Sequence, residues 1–295
     1  MKEYYNISET AKHTSELRLD SNIKYKKQFY CPTVLRIDEI YRYFYSQYCE
    51  VRFKLINQII DELKPDIVIE FASGLSPRGL IIAEKSRKLL YVDTDLSGIN
   101  KYKQKIFQGN TIKHPDNLII KRFDLLTDNM HNLRKFVNVD GKKVVFLTEG
   151  LLPYLDYKEL RNVLSGLTGL VNNRNQFFWI SDINIKYSKL SKGEESVLLA
   201  LTKTKKNIEK EINWKILNYP FLSNNHFVKF ITNDPRYSRR NIKFYKMKDY
   251  KGTLRSKRIL KNLIENTNIK NSADKLLAKK VRIFKIRLEC QNQET

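Results

Sequence analysis

Short β-branched runs alternate with amphipathic segments through the middle of the chain, and this alternation most restricts its fold. The first run is Asp66 to Phe71 (DIVIEF), which begins after Pro65 and ends at Ala72. A continuous apolar run of this length is typical of a strand that is buried on both faces of a parallel sheet. Further strands are predicted over 89–92, 118–123, 144–147 and 176–183.

Apolar residues three and four positions apart predict a helix over 38–63, and further helices are predicted between the strands. These helices are expected over 78–89, 98–108, 130–136 and 157–171. Asp156, followed three residues later by Glu159, forms a capping box at the start of the last one. Parallel strands joined by helices make right-handed crossovers that cover both faces of the sheet. The sequence therefore predicts an α/β protein with a doubly wound sheet.

Four regions are expected from these patterns. Residues 1–63 end in a long amphipathic helix and are predicted to form an N-terminal helical cap, and 64–183 carry the alternating core. Residues 184–250 are polar and basic with scattered aromatics, which favours an α-rich lid insertion. Residues 251–295 supply helices and a final strand over 281–289 that completes the sheet. The lid aromatics are Trp214, Tyr219, Phe221, Phe227 and Phe230.

Acidic residues stand at the carboxyl ends of four predicted strands. They are Glu70, Asp93 with Asp95, Asp124 and Glu149. Ligands of open parallel sheets bind beyond these ends, so the acids predict an acidic rim around a ligand site. Asp93 and Asp95 lie 19 and 21 residues after Gly74, close to the spacing at which an acid binds ribose hydroxyls. Two structural alternatives stay open: Asp95 could cap the next helix, and small residues suit any strand-to-helix turn.

The acidic rim narrows the class of ligand. The chain has no G-x-x-x-x-G-K-[ST] motif, which counts against a P-loop nucleotide triphosphatase. Carboxylates would repel a triphosphate, whereas they suit a ligand that combines a ribose with a positive centre. S-adenosylmethionine supplies both, through its ribose, its sulfonium and its amino group. A nucleoside with these features is therefore the favoured ligand.

Four segments together resemble the leucine carboxyl methyltransferase-like and polyketide O-methyltransferase-like branch of the class I S-adenosylmethionine-dependent methyltransferases. They are IEFASGLSPRG (69–79), YVDTDL (91–96), FDLL (123–126) and LTEGLLPYL (147–155). The resemblance covers about residues 7–183, and the last segment is its most specific part. It implies a Rossmann-like methyltransferase sheet with helices on both faces and S-adenosylmethionine as the cofactor. It also implies methyl transfer to a carboxylate or hydroxyl oxygen.

The resemblance implies cofactor-binding roles for five residues in the first half of the chain. Ala72 and Gly74 would line the methionyl part of the cofactor. Asp95 would bind the ribose, with Asp93 beside it. Arg52 would pair with the carboxylate of the cofactor. The chain departs from the family pattern at Ala72, where the family usually has glycine, and this departure puts the shape of the loop in question.

Further roles fall on the third and fourth strand ends. By the same resemblance, Asp124 and Leu125 would hold the adenine, and Glu149 would lie near the sulfonium. Glu149 and Tyr154 are the candidate catalytic residues, and no metal ligand is expected. An alcohol or phenol acceptor would benefit from a base, whereas a carboxylate needs none. The other residues considered for that role are His114, His131, His226 and Tyr187.

The charge leaves the acceptor open. The chain has 55 Lys and Arg against 32 Asp and Glu, a net charge of +23. Residues 201–295 hold 24 of these basic residues and 8 of the acidic ones, so a surplus of 16 lies there. A basic region with interleaved aromatics allows a nucleic-acid methyltransferase, although no Asp/Asn-Pro-Pro-Tyr loop follows the fourth strand. The remaining alternatives are a small-molecule or protein acceptor, and a non-catalytic partner protein that keeps the fold.

The sequence also gives expectations for location. No run of about 18 apolar residues is present, and the N-terminus lacks the apolar stretch of a signal peptide, so no membrane span is expected. Cys31, Cys49 and Cys290 are widely spaced, which predicts ordinary thiols and not a disulfide framework or a zinc cluster. A soluble, cytoplasmic protein is expected.

Overall fold

The computed structural model describes residues 2–109, 112–171, 174–187, 189–212, 221, 223–234 and 237–288, with the side chains of 2–8 and 211–212 excepted. Several positions considered in the sequence therefore lie outside the described residues. They are Trp214, Tyr219, Glu289 and Cys290.

Among the described residues the chain forms one sheet of seven strands. The strands are β1 (Ile67–Phe71), β2 (Leu90–Asp95), β3 (Leu118–Arg122), β4 (Lys143–Thr148), β5 (Gln176–Asp182), β6 (Ile242–Lys246) and β7 (Arg282–Leu288). Their order across the sheet is β3-β2-β1-β4-β5-β7-β6. Strands β1 to β5 are parallel, whereas β7 runs antiparallel to β5 and β6. The predicted α/β sheet is confirmed, and β7 lies in it between β5 and β6.

Helices connect the strands and precede the sheet. They are α1 (Lys2–Leu17), α2 (Glu39–Leu63), α3 (Arg78–Lys85), α4 (Ser97–Gln108), α5 (Tyr157–Gly169), α6 (Lys192–Ile212), α7 (Asn224–Thr232), α8 (Arg255–Ile259) and α9 (Thr267–Lys280). The predicted capping box of Asp156 and Glu159 opens α5. A 3₁₀ helix over Met130–Lys135 stands where a helix was predicted. No helix of the described residues combines the length and the apolar composition that a bilayer span requires.

Helices cover both faces of the sheet because successive side chains of a strand point to opposite sides. Val68 packs in the apolar cluster that contains Leu55 and Ile59 of α2. Its neighbours Ile67 and Ile69 pack in the cluster on the other face, with residues of α5. All of these β1 side chains are buried. The carboxyl end of β1 is thus held rigidly between two cores, next to β2 and β4.

The described residues of 184–250 include α6, α7 and β6. Strand β6 was not predicted, because only Tyr245 of its five residues is buried and the apolar alternation is therefore weak. Phe221 and Phe227 of this region are fully buried against the sheet. Residues of α6 line the cavity described below. The lid function of 184–250, like the other domain boundaries, stays a prediction.

Candidate active site

A cavity of about 320 Å³ lies at the carboxyl ends of the central strands, where ligands of open α/β sheets bind. Its wall includes the loop 72–75 after β1, Asp95 at the end of β2, Glu149 after β4 and Asp182 at the end of β5. Helices α1, α2 and α6 contribute further residues to the wall. The volume falls within the range of small-molecule sites.

The loop after β1 turns sharply on two residues with positive φ. Ala72 has a φ of 49° and Gly74 a φ of 56°. Ala72 therefore keeps a left-handed backbone that glycine adopts more readily, so the loop turns here despite the substitution seen in the sequence. A Cβ on Gly74 would lie 3.5 Å from the Cβ of Ala11, which shows that α1 passes directly over this loop.

Asp95 is the β2 acid that reaches the cavity. Its carboxylate accepts hydrogen bonds from the backbone N–H groups of Gly74 (2.6 Å) and Leu96 (2.7 Å). Burial raises the pKa of Asp95 to about 6, against the opposing effect of Lys103 and these two hydrogen bonds. The carboxylate is thus tied to the loop after β1, with its charge only partly compensated.

Asp93, two residues earlier, has a different environment. Lys103 of α4 places its Nζ 2.7 and 2.8 Å from the two carboxylate oxygens, and the hydroxyl of Ser73 also donates to Asp93. Neither Lys103 nor Asp93 lines the cavity. Asp93 therefore supports the loop after β1 through Ser73, on the side away from the cavity. The two acids that the sequence analysis grouped as cofactor-binding residues thus lie in different environments.

Glu149 is held by two arginines. Arg52 Nε donates to one carboxylate oxygen at 2.7 Å, and Arg78 forms an ion pair with the other. Burial alone would raise the pKa of Glu149, but the guanidinium groups of Arg78 and Arg52 outweigh it and hold the pKa at about 2. The carboxylate is therefore ionised at neutral pH, and it cannot serve as an efficient general base there.

Arg52 already pairs with two carboxylates of the protein. Besides Glu149, it donates from Nη1 to Asp182 Oδ2 at 3.0 Å, and its guanidinium lies 5.0 Å from the ring centroid of Tyr48. The Tyr48 hydroxyl also donates to Asp182 Oδ2, at 3.0 Å. Sequence reasoning missed Asp182, which could have been found as the acid at the end of a fifth strand.

Arg18 is a buried cation of the cavity wall. Burial lowers its pKa, and the charge of Glu149 partly opposes this effect. The Arg18 side chain is 5% exposed and lines the cavity. Nη1 donates to the backbone oxygen of Leu75 at 3.1 Å, while Nε has no hydrogen-bond partner. No carboxylate of the described residues forms an ion pair with it. Sequence reasoning missed Arg18, because its burial depends on where α1 docks.

The third strand end does not join the cavity. Asp124 is 6% exposed and accepts a hydrogen bond from the N–H of Leu126 at 3.0 Å, and neither Asp124 nor Leu125 lines the cavity wall. Glu70 also departs from the predicted rim, because its side chain points into the protein. There it pairs with Arg78 and accepts a hydrogen bond from the Tyr91 hydroxyl at 2.7 Å.

Tyr154, after β4, lines the cavity, and its side chain hydrogen-bonds to that of Thr10. Tyr187 also lines the cavity. The three histidines considered as bases, His114, His131 and His226, do not line it. Among the described residues the histidine of the cavity wall is His13, on α1.

Known structures place this architecture in a recognised class. No protein-family profile matches the chain, and no curated protein matches it either. A protein from Thermobifida fusca YX assigned as a methyltransferase superposes with a TM-score of 0.51 at 10% identity, over 84% of this chain and 83% of that chain. One from Nostoc punctiforme PCC 73102 assigned as an O-methyltransferase gives 0.48 at 10% identity, over 84% and 59%.

Human N-acetylserotonin methyltransferase, solved in complex with S-adenosylmethionine, superposes with a TM-score of 0.47 at 7% identity, over 85% of this chain and 56% of the human chain. The chain thus spans less than two thirds of the Nostoc and human proteins. The sheet order and the likeness to the Thermobifida protein show a Rossmann-like methyltransferase fold, as predicted. At such low identity the likeness concerns the fold alone.

Proposed function

We propose that this protein is an S-adenosylmethionine-dependent methyltransferase that transfers a methyl group to an oxygen of a small-molecule or protein acceptor. The observation that carries the proposal is the buried Arg18 at the cavity wall, whose charge lacks a carboxylate partner among the described residues. A buried charge without a partner is strongly unfavourable, so the site favours an anionic group. The carboxylate of S-adenosylmethionine is such a group.

The loop after β1 contacts both Arg18 and Asp95. Leu75 accepts a hydrogen bond from Arg18, and the preceding Gly74 donates one to Asp95. A ligand that follows the loop would therefore meet a cation and a carboxylate in turn. This pattern matches an amino-acid carboxylate and a ribose within one molecule. Arg18 thus replaces Arg52 in our assignment of the carboxylate partner, because Arg52 already holds Glu149 and Asp182.

The bound cofactor would supply a methyl group on a sulfonium, which is already activated for displacement. The chain would contribute positioning and exclusion of water, which lower the barrier of an in-line transfer. Arg52 and Arg78 orient Glu149 and keep it ionised, so that it offers a fixed negative charge at the end of β4. Tyr154, joined to Thr10, would border the acceptor.

The alternatives predict different outcomes. A non-catalytic partner protein was suggested by Ala72, yet Ala72 retains a left-handed backbone that leaves the loop turned. A nucleic-acid methyltransferase draws its support from the basic residues after position 200. The cavity at the strand ends favours the acceptor classes of the main proposal, because its wall combines tyrosines with apolar residues of α6.

Calorimetry with S-adenosylmethionine tests the proposal. We expect the intact protein to bind it, and Arg18→Met and Asp95→Asn each to weaken binding by tenfold or more, roughly the loss of one charge-assisted hydrogen bond. Arg36→Gln, at an exposed position of the same charge type, should bind as the intact protein does. Failure of the intact protein to bind would contradict the proposal.

The acceptor class is read from the destination of a labelled methyl group. The protein and labelled S-adenosylmethionine are incubated with an extract of the organism that encodes the chain, which is then separated into protein, nucleic acid and small molecules. Label in small molecules or protein supports the proposal. Label in nucleic acid would favour the alternative instead.

A further inference from the structure

His13 is a buried polar side chain of the cavity wall that the roles above do not use. It lies on α1 and is 6% exposed. Neither Nδ1 nor Nε2 has a hydrogen-bond partner among the described residues. Leaving a buried polar group unsatisfied costs about 1–3 kcal/mol, so an unpaired imidazole at a cavity indicates a missing partner.

The protonation state of His13 limits what that partner can be. Burial lowers the pKa of His13 to about 4, so the ring is neutral at pH 7. A neutral imidazole has one N–H donor and one nitrogen acceptor. A carboxylate can only accept hydrogen bonds, so it would leave the acceptor nitrogen unpaired. A hydroxyl group can donate to that nitrogen.

Aromatic side chains next to His13 favour a planar partner. The rings of His13 and Tyr41 have centroids 5.6 Å apart, and Tyr41 stacks on Tyr45 at 4.3 Å with an interplanar angle of 28°. All three side chains line the cavity. Stacked and tilted rings of this kind extend readily to a further aromatic ring, which would gain both apolar burial and ring contacts.

His13 lies on the helix surface that contacts the segment after β4. Thr10 and His13 are three residues apart on α1 and are therefore neighbours on its surface. Thr10 hydrogen-bonds to Tyr154, which follows β4 and the ionised Glu149. The helix surface that carries His13 thus adjoins the strand end at which the proposed transfer takes place.

We propose that His13 accepts a hydrogen bond from the hydroxyl group of an aromatic methyl acceptor, so that the acceptor is a phenol and not a carboxylate. This inference rests on the proposed methyltransferase function and specifies its substrate class. In the reaction, the phenol oxygen forms a bond to the methyl carbon while the carbon–sulfur bond breaks. The bonding electron pair stays on sulfur, which becomes a thioether. The hydrogen bond to His13 orients the hydroxyl oxygen towards the methyl carbon, and the hydroxyl proton is released to water as the new bond forms.

A binding experiment tests His13 without requiring catalysis. Phenol and anisole are titrated separately while the Cε1–H resonance of His13 is followed by NMR. In anisole a methyl group replaces the hydroxyl hydrogen, so it cannot donate a hydrogen bond. The resonance is assigned by its loss in His13→Gln. We expect phenol to bind about three- to tenfold more tightly than anisole, as one net hydrogen bond gives. No shift with phenol, or equal binding of both probes, would overturn the proposal.

Variants of His13 show whether the preference for phenol depends on this residue. His13→Phe should bring phenol and anisole within about twofold of each other, and His13→Gln, which keeps a hydrogen-bonding group, should restore part of the preference. His114→Gln, at an exposed ring packed against Phe107, should behave as the intact protein. Thermal melts establish that each variant is folded, and a phenol preference retained by a folded His13→Phe would contradict the role of His13.

The labelled product separates failure of this inference from failure of the proposed function. Mild alkali hydrolyses methyl esters and releases labelled methanol, whereas aryl methyl ethers are stable. Label that resists alkali excludes a methyl ester, and its recovery in an aryl methyl ether supports a phenol acceptor. Alkali-labile label would overturn the role of His13 and leave the methyltransferase function intact. The absence of any transfer, together with failed cofactor binding, would contradict the function itself, while the phenol and anisole titration would still decide on His13.

Discussion

Lys103 and Asp93 form an ion pair inside the protein, with the lysine Nζ 2.7 Å from Oδ2 and the two side chains 0% and 3% exposed. Ser73, which donates to Asp93, links this pair to the loop after β1. The pair therefore fixes the underside of the loop, and Asp95 is the β2 acid that faces the cavity.

Loss of Lys103 should destabilise the protein. Lys103→Met leaves the Asp93 carboxylate buried without its cation, and we expect the free energy of unfolding to fall by about 3–5 kcal/mol. Urea denaturation measures this change. Lys101→Met, at an exposed position of the same helix, should change stability by no more than about 0.5 kcal/mol. Similar effects of the two variants would show that the buried pair contributes little.

Glu149 should give the protein a pH-dependent stability. Because its pKa is lowered from 4.5 to about 2, its contribution is present above about pH 4.5 and is lost as the pH falls towards 2. Glu149→Gln should lower the free energy of unfolding by about 3 kcal/mol at pH 7, and the difference from the intact protein should shrink on acidification. Glu265→Gln, at an exposed position, is the control for urea denaturation at each pH. A difference that does not depend on pH would argue against the pairing with Arg52 and Arg78.

Asp95 should make the stability of the protein depend on pH in the opposite direction from Glu149. Its pKa is raised from 3.8 to about 6, so the folded state loses stability as the pH rises through this interval. Asp95→Asn removes the penalty, and we expect a gain of about 1–3 kcal/mol in the free energy of unfolding at pH 7, with weaker cofactor binding. Thermal melts of this variant and of Asp116→Asn, an exposed control, between pH 4 and 8 measure the effect. A loss of stability at pH 7 would contradict it.

Ala72 should tolerate glycine. Its φ of 49° is costly for an L-residue, and Ala72→Gly relieves this strain while it increases the freedom of the unfolded chain. We expect the free energy of unfolding to rise by at most about 1 kcal/mol, with cofactor affinity unchanged or improved. The reverse change at the neighbouring turn, Gly74→Ala, should cost about 1 kcal/mol, because its φ is 56° and its new Cβ meets only Ala11 at an ordinary distance. Equilibrium unfolding in urea distinguishes the two directions.

Much of the fold was accessible from the sequence. The strand at 67–71 was recognised because a buried parallel strand is apolar on both faces, and the capping box of α5 is a local pattern. Strand β6 was missed because its side chains are mostly only partly buried, which leaves little periodicity to detect. Local sequence patterns therefore predict a strand or helix well when its burial follows a regular pattern along its length.

The site was only partly accessible. The acids at the strand ends could be predicted, since parallel strands present their carboxyl ends on one edge. The partner of each acid could not: Arg52 meets Glu149 across 97 residues of sequence and Asp182 across 130. Glu70 was expected at the rim, yet Arg78 and Tyr91 hold it inside the protein.

The sequence by itself determined the order of strands and helices and the placement of acids at the end of the sheet, because both depend on residues near one another in the chain. Tertiary structure alone decided which buried charges form ion pairs and which do not. It is the docking of α1 over the loop after β1 that buries Arg18 and His13 at the cavity. Burial makes an unpaired charge or ring nitrogen costly, and only the packed chain determines what is buried.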